Sequence, residues 1–522
     1  MPWMVAAFSR FNIMLSRSIR RAAQQCVVSK NCRYSSTIAL KNALDTIEQY
    51  NPDINAFISV NDSHVLQEKA KASDQRQSQG NPLSALDGTT VAIKDNICTS
   101  FLPTTCASNM LRDFTSPYDA TVVKLLDEAG ALIVGKTNMD EFGMGSYNAH
   151  SAFGPVINPI GHSKKEKRSA GGSSGGSAAS VAMNMCTAAL GSDTGGSVRM
   201  PASYCGLVGF KPTYGRCSRH GLVAYANSLD TIGILTRNVQ DCAKVYDIIA
   251  HYDVQDPTSI PNELRHQLDD QQQTLLSRLQ QQGNLEGLTV GVPQEFYVDS
   301  LSPQVLEVWR NGIQHLKDLG ATIKSVSIPH ISLALPAYYI IALAEASSNL
   351  SRYDGIRYGY RSSDIDQADH QLLYEATRTH GFGHEVQRRI LLGTHVLTAG
   401  TFETLFLPAQ KARRLIQSEF NQVFLQPNLL DNDTTKHGEA DVLLVPSATS
   451  AAPDLDRTSS TESGVDEYID DVMTLPANLA GIPAITVPFK EKGQDYPIGL
   501  QLLGQYGHDK FLLHVAEQMT RR

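Results

Sequence analysis

Two glycine-rich turns carry the serines best placed for chemistry. "GGSSGG" (171–176) holds Ser173 and Ser174, and "GSDTGGSVRMPA" (191–202) holds Ser197. A serine hydroxyl is a weak nucleophile that needs a base. The usual base is histidine, and none lies between residues 171 and 202. Glycine lets backbone amides converge. The "DTGGS" turn can therefore aim the N–H groups of Thr194, Gly195, Gly196 and Ser197 at one oxygen, as an oxyanion hole does. A flexible Gly/Ser linker reads similarly, but Asp193 and Arg199 flank the turn as linkers rarely allow. Lys94 closes the apolar run "GTTVAIK", where burial favours its neutral, proton-accepting form. Position alone fits a lysine reaching out of a strand end equally well.

Two shorter motifs match patterns but fail on context. "GALIVGKT" (130–137) satisfies the phosphate-loop spacing, yet its Ala-Leu-Ile-Val core prefers a buried strand to a loop. "GGSSG" and "GSSGG" satisfy the hydrolase elbow, which needs a strand directly before it. The residues there are the charged "GHSKKEKRSA".

Residues 171–202 resemble the amidase signature along their whole length, including the 24-residue separation of Ser173 and Ser197. "GTTVAIKDNI" resembles the segment bearing that family's catalytic lysine. The resemblance implies a Ser–cis-Ser–Lys triad: Ser197 as nucleophile, Ser173 as the bridging serine after a cis peptide bond, and Lys94 as base. Thr194, Gly195 and Gly196 follow as the oxyanion hole, with Asp193, Arg199 and Ser174 in support.

"GKTNMDEFGMGS", "YYIIALAEASSNLSRYDGIRYGYR" (338–361) and "GFGHEVQRRILLGT" (381–394) resemble one branch of the family, the glutamine-hydrolysing A subunits of glutamyl-tRNA(Gln) amidotransferases. That branch releases ammonia from glutamine. A B subunit uses the ammonia, ATP and Mg2+ to amidate Glu-tRNA(Gln), and a small C subunit braces the pair. The A subunit itself holds no cofactor or metal. The resemblance points to Arg389 for the glutamine carboxylate, Asp471 for its ammonium, and Tyr338 nearby. Arg388, Asp470 and Tyr339 are adjacent alternatives. Two other readings share the triad: a free-standing amidase with an apolar channel for fatty or aryl amides, and a non-catalytic assembly subunit.

The elements that must position these residues alternate in type. Helices are expected at "STIALKNALDTIEQY", "DATVVKLLDEAG", "AASVAMNM", about 302–319 and "HDKFLLHVAEQMTRR". Strands are expected at 88–96, "ALIVG", "CTAALG", "LTVGVP", "ATIKSVSIP", "ADVLLVP", "PAITVPF" and "PIGLQLLG". This alternation predicts an α/β fold, a central mixed sheet covered by helices on both faces. One amidase-signature domain spans 37–522. Its Gln-rich stretch (264–286) reads as a surface insertion, a solvated helix or loop, and 431–440 as a polar loop.

The first 36 residues hold six Arg or Lys and no Asp or Glu, the character of a mitochondrial transit peptide. A disordered basic tail or a signal peptide is the other reading, and the transit-peptide reading leads one to expect the mature protein in the mitochondrial matrix. Without those six, 39 basic residues face 53 acidic ones, a net of −14. So acidic a body is a poor unaided nucleic-acid binder, so any tRNA is expected to belong mainly to a partner. The eight cysteines form no C-x-x-C pair, and reduced thiols are expected. The longest uncharged apolar stretch, 331–344, is too short to span a bilayer and contains Pro336.

Overall fold

The computed structural model describes residues 35–282, 284–363, 370–431, 438–458, 466–489 and 494–521. Most of the expected leader and the tip of the 431–440 loop lie outside these residues. Eleven strands form one sheet: β1 (Phe57–Val60), β2 (Thr90–Lys94), β3 (Leu132–Thr137), β4 (Ala188–Asp193), β5 (Val208–Lys211), β6 (Thr231–Thr236), β7 (Thr289–Pro293), β8 (Thr322–Val326), β9 (Val442–Pro446), β10 (Ala484–Phe489) and β11 (Ile498–Gly504). Their order is β1-β3-β2-β4-β6-β5-β10-β11-β9-β7-β8. The β2/β3, β2/β4, β7/β8 and β7/β9 pairs are parallel and the others antiparallel, so the sheet is mixed.

Both faces are covered because alternate side chains serve different cores. Val91, Ile93, Ile133, Ala188, Leu190, Ile232 and Ile234 enter the larger apolar cluster. Ala92, Leu132, Val134, Ala189 and Leu235 enter a second one with Leu40, Ile47 and Leu66. Those last three lie on the helices Ser36–Ile54 and Ser63–Ser78. The expected β-α-β unit is present as β7, the helix Pro303–Asp318 and β8; Ser302 Oγ accepts the Val305 amide at its start.

Several sequence expectations need correcting. The Gln-rich stretch is the helix Asn262–Gln282, which buries Leu268, Leu275, Leu276 and Leu279. Its Gln272 side-chain oxygen accepts the Lys510 and Phe511 amides of the C-terminal helix. Leucines at helical spacing make it a packed element, which the glutamines between them conceal. The helix after the first Ser/Gly turn is Gly175–Ala182, so it starts earlier than "AASVAMNM" and stops before Met183. β1, β5 and β6 have no counterpart among the expected strands. The 331–344 stretch belongs to a 24-residue helical run, Pro329–Arg352, so length does not exclude a membrane span. Half of its apolar window is buried inside the protein, and its helix Ala334–Asn349 packs on the helices His384–Val396 and Leu407–Val423. The six described cysteines are buried free thiols.

Candidate active site

β2 and β4 are parallel neighbours, so their C-terminal ends meet at one edge of the sheet, where open α/β sheets place ligands. Lys94 ends β2, and Ser192 and Asp193 end β4. Lys94 is fully buried. Its Nζ lies 2.8 Å from Ser173 Oγ, 2.8 Å from Ser174 Oγ and 3.3 Å from the Ser192 carbonyl. Burial lowers its pKa to about 7, against the opposing pull of Asp140, Asp193 and Asp230. Its three oxygen neighbours match the three donors of an ammonium, or two donors and the lone pair of a neutral amine. Ser174 Oγ donates to the Ser192 carbonyl at 3.2 Å, so it accepts from Lys94, as the carbonyl does. In its neutral form two N–H groups serve those acceptors and the lone pair is left for Ser173 Oγ, whose one side-chain partner among the described residues is Lys94.

The Gly172–Ser173 peptide bond is cis. Asp140 and Ser146 pin the turn: the Asp140 amide donates to the Ser173 carbonyl (3.3 Å) and the Gly172 amide to the Ser146 carbonyl (2.6 Å). A Cβ on Gly172 would sit 2.2 Å from Asp140 Oδ2, so only glycine fits. The Ser174 amide donates to the Ser197 carbonyl at 3.1 Å and ties the two serine turns together. Ser197 is half-buried. Its hydroxyl makes no hydrogen bond to a described residue, so the expected Ser173–Ser197 bond is not closed here. Such bonds are often long without substrate and tighten around it.

The "DTGGS" turn differs from expectation at one amide. Gly196 N–H donates to Asp193 Oδ1 (2.9 Å), so it is already engaged and is not offered to an oxyanion. The amides of Thr194, Gly195 and Ser197 donate to no described protein atom. Asp193 is held in turn by the fully buried Arg199, whose Nε and Nη2 reach it at 3.0 and 2.9 Å. Arg199 also donates to the Thr474 carbonyl, Gln501 and Asn478. Burial pushes the Asp193 carboxyl up, but the Arg199 charge and hydrogen bonds outweigh it and bring its pKa to about 2. Thr474 Oγ1 donates to the Gly195 carbonyl (2.6 Å). Tyr338 covers the turn so closely that a Cβ on Gly195 would lie 2.5 Å from its hydroxyl.

The two candidate cations on the helix His384–Val396 separate cleanly. Arg389 is buried; Nε donates to Glu385 (2.6 Å) and Nη1 to the Tyr225 hydroxyl (2.9 Å), while buried Nη2 has no partner among the described residues. Arg388 is 43% exposed and pairs with Glu385 and Tyr468. Tyr225 links Arg389 to the turn, since Asp230 accepts both the Tyr225 amide (2.9 Å) and Thr194 Oγ1 (2.7 Å). Asp471 accepts from Tyr339 (2.7 Å) and from Ser146 (3.0 Å), the residue that pins Gly172. Asp470 accepts from Tyr147 and Thr449 instead. Tyr225, Asp230, Ser146, Thr474 and Asn478 escaped the sequence reading because no local pattern marks them. Among the described residues no three His, Cys, Asp or Glu side chains converge on a metal site. Lys136, of the phosphate-loop lookalike, lies buried in β3 against Asp95, Thr104 and the Pro103 carbonyl.

This geometry has relatives. Over 525 residues the chain is 44% identical to the A subunit of the mitochondrial glutamyl-tRNA(Gln) amidotransferase of Coccidioides posadasii, covering 97% of this chain and 99% of that one. It is 45% identical to the A subunit of the glutamyl-tRNA(Gln) amidotransferase of Chromohalobacter salexigens, covering 94% and 93%. The crystal structure of the glutamyl-tRNA(Gln) amidotransferase A subunit from Thermotoga maritima superposes with a TM-score of 0.70 at 37% identity, covering 93% and 91%. The sequence profile named Amidase matches residues 39–513, from the first helix to the last, and the chain belongs to the amidase family.

Proposed function

We propose that the chain is the glutamine-hydrolysing A subunit of a mitochondrial glutamyl-tRNA(Gln) amidotransferase. The observation that carries this is a fully buried lysine whose Nζ lies 2.8 Å from Ser173 Oγ, in a turn tied to that of Ser197. Ser197 Oγ attacks the glutamine side-chain carbonyl carbon. Its proton passes to Ser173, which gives its own to Lys94 Nζ. The amides of Thr194, Gly195 and Ser197 stabilise the oxyanion. Protonated Lys94, favoured by the charges of Asp140, Asp193 and Asp230, returns a proton through Ser173 to the leaving nitrogen. Ammonia departs, and water then releases glutamate from Ser197.

Specificity follows from charge. The unpartnered Arg389 Nη2 suits the α-carboxylate and Asp471 the α-ammonium. A buried guanidinium linked through Tyr225 and Asp230 to the Thr194 turn favours glutamine over an apolar fatty or aryl amide, and the buried Lys94–Ser173 pair beside the Ser197 turn argues against a purely scaffolding role. The names of the relatives support partner subunits and a mitochondrial setting. In this reading residues 1–36 are the transit peptide and the matrix is the destination. The B subunit carries ATP, Mg2+ and most of the tRNA contact, which suits an acidic body, and the C subunit braces A and B.

The test is Ser197→Ala in the complex with B and C subunits. Gln-tRNA formation from glutamine should be lost, while formation from ammonium persists. Ammonia release from glutamine at the wild-type rate by this variant sinks the proposal.

A further inference from the structure

Glu141 lies outside the triad and the proposed glutamine clamp, yet it bridges them. It is only 5% exposed. Oε2 accepts the Gly383 amide at 2.8 Å, and Oε1 accepts the Ser108 hydroxyl. Gly383 is the residue from which the helix His384–Val396 starts, and Arg389 sits six residues further on, about 9 Å along the axis. A Cβ on Gly383 would lie 2.4 Å from Glu141 Oε2, so a larger residue at the helix start must push the carboxylate aside. The segment around Glu141 also touches the triad: Asp140 donates to the Ser173 carbonyl, and Gly143 faces Ser173 Oγ and the Tyr225 ring.

From this placement we infer that Glu141 is a positioning residue for glutamine binding: it fixes the start of the Arg389 helix against the serine turn and so sets where the guanidinium meets the substrate carboxylate. The inference rests on the proposed role of Arg389. A carboxylate at a helix start also suits the helix dipole. Burial raises the Glu141 pKa to about 7, against the hydrogen bonds from Ser108 and Gly383, so its neutral form is well populated near neutrality. A neutral acid still accepts the Gly383 N–H. Glutamine at this position does the same, and its amide can donate to Ser108.

The experiment compares glutamine with butyramide, a primary amide that lacks the α-carboxylate, and follows amide hydrogen exchange over residues 383–390. Glu141→Ala should raise KM for glutamine about tenfold (about 1.4 kcal/mol), with kcat within about twofold. Its kcat/KM for butyramide should stay unchanged, and exchange over 383–390 should accelerate. Glu141→Gln should restore KM to within about threefold of wild type. Gly383→Ala displaces the carboxylate from the other side, should show the same split, and serves if Glu141→Ala does not fold. A fall in kcat at constant KM, an equal loss on butyramide, or unchanged exchange in both variants overturns the inference. A wild-type complex that exchanges as expected but hydrolyses no glutamine counts against the proposed function instead.

Discussion

Replacing Lys94 by methionine isolates the energetic consequence of a buried base. Burial lowers the Lys94 pKa from 10.5 to about 7, a drop of about 3.5, or about 5 kcal/mol at 1.36 kcal/mol per pH unit. The sign follows from proton counts. Between pH 7 and 10.5 the unfolded chain keeps the Lys94 proton and the folded protein does not, so stability rises with pH there. Below pH 7 the whole cost is present. Methionine removes this dependence and also loses contacts at 2.8, 2.8 and 3.3 Å, worth about 1 kcal/mol each and independent of pH. Methionine should therefore stabilise the protein by about 2 kcal/mol at pH 6. Wild type should regain about 2 kcal/mol relative to it between pH 7 and 9. Lys211, also near 7, is common to both proteins and cancels. Urea unfolding of both proteins from pH 5 to 9 measures the gap. In parallel, wild-type kcat/KM for glutamine should rise about tenfold per pH unit up to about pH 7 and then level. A gap that stays flat from pH 5 to 9 refutes the reasoning, because Lys94 would then be a permanent cation.

Arg389→Ala should raise KM for glutamine about 100-fold, the loss of a charged hydrogen bond of about 2–3 kcal/mol, whereas Arg388→Ala should change it less than about threefold because Arg388 is largely exposed. Initial rates against glutamine concentration settle the pair. Asp193→Asn should lower the unfolding free energy by about 3 kcal/mol at pH 7, since Arg199 then loses its buried charge partner. The native Asp193 pKa is depressed to about 2, so its contribution is complete above the unfolded value of 3.8 and is lost as pH falls toward 2. The deficit measured by urea unfolding should therefore shrink below about pH 4.

Much of this protein was legible before any coordinates. Strands such as β2, β3 and β9 announce themselves as short apolar runs, and Ser302 with Pro303 marks a helix start. Local chemistry suffices there, because the signal sits within a few consecutive residues. The serine turns were legible too, since glycine, serine, Asp193 and Arg199 at close spacing have few other uses. Local pattern failed where the cause was distant. β5 and β6 are central strands with little alternation, stabilised by neighbours on both sides. The glutamines of Asn262–Gln282 concealed leucines that matter only once the C-terminal helix lies against them.

The candidate site divides in the same way. The types of Lys94, Ser173 and Ser197 followed from sequence, and the lysine's role came only through resemblance, because nothing local says that residue 94 meets residue 173. The sheet decides that, by setting β2 beside β4 in parallel and bringing their ends to one edge. Tertiary structure also separated neighbours that sequence could not. Along a helix, adjacent residues point about 100° apart, so Arg389 turns into the protein while Arg388 turns out. It took the Gly196 amide for Asp193 and left those of Thr194, Gly195 and Ser197. Residue identity sets which chemistry is available; the packing of distant segments sets which lone pair faces which proton.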